Sequence, residues 1–114
     1  MIFVEKPINL NDLWANRTTN FSELIKIAVD IENEWIVLDG EMHADCESAL
    51  LEKGSKQENI WGANVYPENS GDNFLEFISF INIRPSQDNP SMEIQNPEIR
   101  GKIKQIIHRL LITS

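Results

Sequence analysis

Little in this sequence would staple it, anchor it in a membrane or draw it to a polyanion. A single cysteine, Cys46, among 114 residues excludes an internal disulfide, so packing must hold the fold. No apolar run approaches the ~18 residues of a membrane span. The opening Met1 to Pro7 has neither the basic n-region nor the long apolar h-region of a secretory signal, and the expected location is cytoplasmic. The sequons Asn16-Arg17-Thr18 and Asn20-Phe21-Ser22 then carry no weight. Basic residues are scarce: ten Lys and Arg face eighteen Asp and Glu, for a net charge of -8. Such a surface repels a phosphate backbone, which excludes free nucleic acid as an expected partner. No repeat, low-complexity tract or linker interrupts the chain, so one domain over residues 1–114 is expected.

What is present is an alternation of strand-like and helix-like segments. The longest nearly unbroken apolar run is Phe74 to Pro85. With side chains alternating, Leu75, Phe77, Ser79, Ile81 and Ile83 fall on one face, and Phe74, Glu76, Ile78, Phe80, Asn82 and Arg84 on the other. Both faces are mostly apolar, as in a buried central strand. Ile25, Ile27, Val29 and Ile31 alternate with Lys26, Ala28 and Asp30, the pattern of a half-buried strand. Glu32-Asn33-Glu34 then turns the chain into Trp35 to Leu38, giving a hairpin stopped by Asp39-Gly40. Asn59 to Tyr66 reads as a further strand, joined by the turn-rich Pro67 to Asp72 to the Phe74 strand as a long hairpin, and Ile2 to Glu5 as a short one.

Helices are signalled three times. Asn9 is a good N-cap before Leu10, Leu13 and Trp14, with a weaker alternative start at Asn20. Asp45 can cap a short helix through Lys53, with Gly54 beyond its end. Asn96-Pro97-Glu98 opens a last helix whose Ile99, Ile103, Ile106, Ile107 and Leu110 share one narrow face. The order strand, helix, hairpin, helix, long hairpin, helix predicts a two-layer α+β domain with a mainly antiparallel sheet of about five strands and about three helices. Pro85 to Glu93, with two prolines and almost no apolar content, reads as a functional or mobile loop.

Two constellations could carry chemistry. Glu41, His43 and Asp45 would project to one side of an extended segment, placing an imidazole between carboxylates. Such residues suit a divalent metal, and His43 with Asp45 suits general acid or base work. The structural alternative spends Asp45 on the helix start and His43 on a neighbouring carbonyl. Asn82, Arg84 and Ser86 form the second set, in which the Arg84 fork would hold a carboxylate or phosphate, or pair with an internal acid such as Asp45 or Glu41. Gly54-Ser55-Lys56 is not a phosphate loop, because a helix ends and a strand follows there. Cys46 has no activating base beside it, His108 reads as a solvated helix-end residue, and Trp14, Trp35 and Trp61 read as core or interface anchors.

Glu41-Met42-His43-Ala44-Asp45, Gly54 to Gly62 with Asn64 and Tyr66-Pro67-Glu68, and Asn82-Ile83-Arg84-Pro85-Ser86-Gln87 together resemble a small bacterial family known only as a domain of unknown function. The likeness runs from Val4-Glu5-Lys6-Pro7-Ile8 to the last helix. It implies a prokaryotic stand-alone domain and assigns no activity, cofactor or site residue.

Charge is unevenly placed. Asp30 to Glu58 holds nine acids against Lys53 and Lys56, whereas Asn96 to Ile112 holds Glu98 against Arg100, Lys102, Lys104 and Arg109. These segments can attract each other within one molecule or between two copies. The leading expectation is a binding or protein-interaction module, with a homodimer or another protein as partner, using the Pro85 to Gln95 loop and the basic helix. The alternative is a small metal-dependent or hydrolase-like enzyme built on His43, Asp45 and Arg84.

Overall fold

In a computed structural model, residues 1–17 and 23–113 are described. The alternative helix start at Asn20 and the sequon Asn20-Phe21-Ser22 lie outside the described residues.

β-Branched residues and alanine place the centre of the sheet at β3 (Ile25–Asp30). It pairs antiparallel with β4 (Trp35–Leu38) on one side and β5 (Ile60–Val65) on the other, so that Val29 stands between Ile36 and Trp61. β1 (Ile2–Val4) and β6 (Leu75–Glu76) form the edges, giving the order β1-β4-β3-β5-β6 with every neighbour antiparallel. The turn between β3 and β4 closes on Asp30, whose carboxylate accepts from the Glu32 and Asn33 amides and from the Asn33 side chain.

The α+β class, the five-strand antiparallel sheet and the three helices are as expected; the layering is not. Ile25, Ile27 and Val29 pack with α1 (Leu10–Ala15) and α3 (Pro97–Leu110), whereas Ala28 packs with Cys46 and Leu50 of α2 (His43–Glu52). Helices therefore cover both faces of the sheet, and β3 is buried on both sides rather than half-buried. All three tryptophans pack inward, Trp14 and Trp61 in the main core and Trp35 edge-on to Phe3 at 5.4 Å.

The larger correction concerns Phe74 to Pro85. Only Leu75 and Glu76 are strand, and they lie at the sheet's edge. The chain leaves the ladder at Ser79, whose hydroxyl accepts from the Ile81 amide and opens the 3-10 turn Phe80–Asn82, and a second turn follows at Pro85–Gln87. The expected long hairpin shrinks to two opposed pairs, Asn64 with Glu76 and Val65 with Leu75.

Helix ends follow their caps. Asn9 caps α1 through the Asp12 amide, and Asn96 caps α3 through the Glu98 amide. α2 starts at His43 behind Met42, so Asp45 is an acid in the first turn and not the cap. Its far end closes with Ser55 N–H on Leu50 O and Gly54 N–H on Leu51 O, with Gly54 at φ +105°, the left-handed closure anticipated there. α3 stops at Leu110, and Leu111–Ile112 becomes β7, paired parallel with β2 (Ile8–Asn9).

Gly101 lies in α3 with open space where a Cβ would stand. Gly101→Ala should therefore stabilise the fold by up to about 1 kcal/mol through helix propensity alone, raising the Tm by roughly 4 °C. A thermal melt of the variant checks this, and a lowered Tm would mean that the helix backbone is approached closely.

Candidate functional site

The outer edge of β5 explains why Asn82 and Arg84 are where they are. β6 covers this edge only at Asn64 and Val65. At Gly62 the missing strand is replaced by a side-chain amide: Asn82 Oδ1 accepts from Gly62 N–H at 2.8 Å and Asn82 Nδ2 donates to Gly62 O at 2.9 Å. Two residues further along, Arg84 Nη2 donates to Ile60 O. Side chains thus seal an edge that would otherwise leave backbone groups unpaired. Gly62 must lack a side chain, because an added Cβ would lie 2.6 Å from Ser79 Cβ.

The Arg84 fork is fully engaged. Nε donates to Ile81 O at 3.0 Å, Nη1 to Gln57 O at 2.7 Å, and Nη2 also to Glu47 Oε2 at 3.3 Å, while the group lies 4.8 Å from the Trp61 ring centroid. Its acid is Glu47, two residues beyond Asp45 and six beyond Glu41 in the same acidic stretch. Burial disfavours its charged form, and Glu47 opposes that effect.

Asn89 was not singled out by the sequence, yet it organises the loop. It is buried; its Nδ2 reaches Asn82 O, Ser91 O and Glu93 O at 2.7, 3.0 and 3.2 Å, and its Oδ1 accepts from Gln95 N–H. Its backbone also pairs with that of Arg84. The Pro85 to Glu93 segment is therefore pinned from within. Beside it, Phe80 and Ile83 line a depression of ≈ 290 Å³ with Glu47 and the segment's own Ser86 and Gln87.

The Glu41, His43 and Asp45 constellation is split. His43 Nε2 lies 2.9 Å from both Ala63 O and Asn64 Oδ1, so the neutral ring carries its proton there. Asn64 Nδ2 donates to Glu76 Oε1, which also accepts from Tyr66 O–H, extending a polar chain from α2 across β5 to β6. Glu41 and Asp45 are exposed, and among the described residues no three His, Cys, Asp or Glu side chains gather to hold a metal ion. Burial pushes the Cys46 thiol up to about 11, leaving it un-ionised at neutral pH. His108 is exposed but stacks on Phe74, with ring centroids 6.0 Å apart.

Half-buried His43 and buried Asp30 set a pH dependence. Burial lowers the His43 pKa, against the hydrogen bonds to Ala63 and Asn64 that raise it. For Asp30, burial raises the pKa, but the bonds from Ser55, Asn33 and Glu32 together bring it below the ordinary value. In both cases the unfolded chain binds more protons than the folded one as pH falls, so stability drops on acidification. The expected loss begins below about pH 6.5, where unfolded His43 protonates, and resumes below about pH 4 as Asp30 does. Urea midpoints across this range test it, and His43→Gln should flatten the first step only.

In comparison with family models, the family described as Protein of unknown function (DUF5674) matches residues 2–110. The chain belongs to this family. The resemblance read from the motifs is thereby borne out, and the DUF5674 match spans everything from β1 to the end of α3. Comparison with curated proteins and with solved structures finds no significant match. In this DUF5674 member, Gly62, Asn82, Arg84 and Gln87, all within the motifs that carry the resemblance, meet at the sealed edge of β5.

Proposed function

We propose that this chain is a protein-interaction module that docks a basic-surfaced partner protein on the turn carrying Phe80 and Ile83. The observation that carries the reading is Phe80 itself, 76 % exposed at the apex of a turn held by Asn82, Arg84 and Asn89. Ile83 beside it is 44 % exposed, and Leu51, one turn beyond Glu47 on α2, is 42 % exposed. Burying one such aromatic side chain against a partner is favourable by about 2 kcal/mol. A turn already locked in one conformation loses little entropy on binding, and buried aromatics are the usual anchors of interfaces.

Charge selects the partner. The apolar tip is bordered by the exposed acids Glu58 and Asp88, since Gln87 donates to Glu58 O and Asp88 follows it, while Glu52 adjoins Leu51. Symmetric pairing of two copies through this turn would set acidic rim against acidic rim, so a different, basic protein is the better complement. Four of the ten Lys and Arg lie on α3, across the sheet, and Arg109 there meets Glu34 within one molecule at 3.1 Å. The enzyme alternative has less support, because His43 Nε2 and the Arg84 fork are committed to internal partners.

The test places a photo-crosslinking amino acid at Phe80, and as a control at Lys102 on α3, in the full chain expressed in its native cells. A discrete heteromeric adduct at position 80 alone is expected. The purified partner should then bind the unmodified chain in a salt-sensitive way and lose most of its affinity to Phe80→Ser. Equal adducts at both positions, or a dimer of this chain as the sole product, would overturn the proposal.

A further inference from the structure

A larger groove, of ≈ 620 Å³, lies elsewhere, along the outer edge of β6, walled on one side by α3 and closed at one end by the turn before β6. Its lining includes Tyr66, Asn73, Leu75, Phe77, Gly101 and Lys104.

β6 is the last strand of its sheet on this side. Tyr66 N–H bonds Phe74 O, so by alternation Phe74 and Glu76 direct their backbone groups to β5, and Leu75 and Phe77 direct theirs outward. Just past β6 this outer edge is taken by the chain's own segment: Ile94 N–H donates to Phe77 O at 3.0 Å, Ser79 N–H donates to Met92 O at 3.1 Å, and Ile78 stands opposite Glu93 in an antiparallel bridge. The covering segment then turns away into α3. At Leu75 the ladder stops, and among the described residues its outward N–H and C=O have no backbone partner. Both face the groove.

The opposite wall is prepared for close approach. Gly101 presents bare helix backbone with nothing within 4 Å of where a Cβ would stand. Arg100 lines the groove beside it and is fixed there, its Nε on Ile94 O at 2.6 Å, its guanidinium paired with Glu93 and lying 4.9 Å from the Phe77 ring. Lys104 lines the groove with no partner among the described residues.

From these placements we infer that the β6 groove binds an extended peptide segment as an added strand, continuing the ladder begun by Met92 to Ile94. The peptide backbone pairs with Leu75, an apolar side chain packs on Leu75 and Phe77, and a carboxylate reaches Lys104. This site shares no residue with the Phe80 tip, so either proposal can fail without the other.

The probes are blocked tetrapeptides built from Val, Thr and Asp, acetylated and amidated at their ends, with free valine and aspartate as controls. Amide chemical shifts of the full chain should move at Leu75, Phe77, Gly101 and Lys104 with the tetrapeptides and not with the free amino acids. Gly101→Leu fills the groove from the helix side and should abolish these shifts while the rest of the spectrum stays folded. Capture through the backbone tolerates many sequences, so a panel that moves none of these amides at millimolar concentration overturns the inference. Equal shifts from the free amino acids, or shifts unchanged by Gly101→Leu, also overturn it.

Discussion

Asn82→Ala is expected to destabilise the protein by about 3–4 kcal/mol, a large share of the 5–15 kcal/mol that holds a domain together. The side chain is fully buried, and its amide serves three backbone groups, Gly62 N–H, Gly62 O and Met92 O. Truncation leaves all three without a partner where water has little access, and each orphaned group costs about 1–3 kcal/mol, not additively. Asn82→Asp should fare no better, since it keeps the acceptor for Gly62 N–H but points a carboxylate at two carbonyls. Urea denaturation measures the loss. A cost below about 1 kcal/mol would mean that water or a local shift satisfies the edge of β5 as well as the amide does.

Arg84→Met should cost about 3–5 kcal/mol, chiefly by stripping partners from Ile60 O and Gln57 O and leaving the Glu47 carboxylate in a half-buried site. The ion pair is the lesser part: Glu47→Gln should cost about 1 kcal/mol. Arg84→Lys should not rescue, because one ammonium cannot serve Ile81 O, Gln57 O, Ile60 O and Glu47 together as the planar fork does. A double variant, Arg84→Met with Glu47→Leu, should recover part of the loss because no charge is then stranded. Full stability in Arg84→Lys would contradict this account, since a point charge would then suffice.

Where hydrophobic period and caps agreed, the sequence was legible. The β3–β4 hairpin, the Asn9 and Asn96 caps, the Gly54 closure and the apolar face of α3 all follow from local rules. Phe74 to Pro85 was misread because period two cannot separate a strand from a segment whose polar side chains imitate one. Ser79 caps a turn and Asn82 supplies the amide of an absent neighbour, and neither role changes the alternation. Asn89 escaped notice because its partners are backbone groups of the same loop, which leave no side-chain pattern to read, whereas Glu47 belongs to the Glu41 to Glu47 cluster from which a partner for Arg84 was open. A signal was present for Asp30, since an aspartate at a strand's end with Asn33 three residues on favours a side-chain-closed turn. The doubly covered sheet was legible in principle, for β3 carries Ala28 between Ile27 and Val29, on the face where Lys26 alone would not mark an open side.

The small parallel pair of β2 and β7 has a kinetic meaning. It joins residues at opposite extremes of the chain, and the neighbouring bond from Asn11 Nδ2 to Thr113 O spans 102 residues. Closing a loop of that length costs about 4–5 kcal/mol of chain entropy if nothing else has ordered first. Such a contact cannot help to start folding. It forms once the antiparallel sheet and α3 have brought its two halves together, and a clasp that closes last onto two short strands is also the first part of the fold to let go.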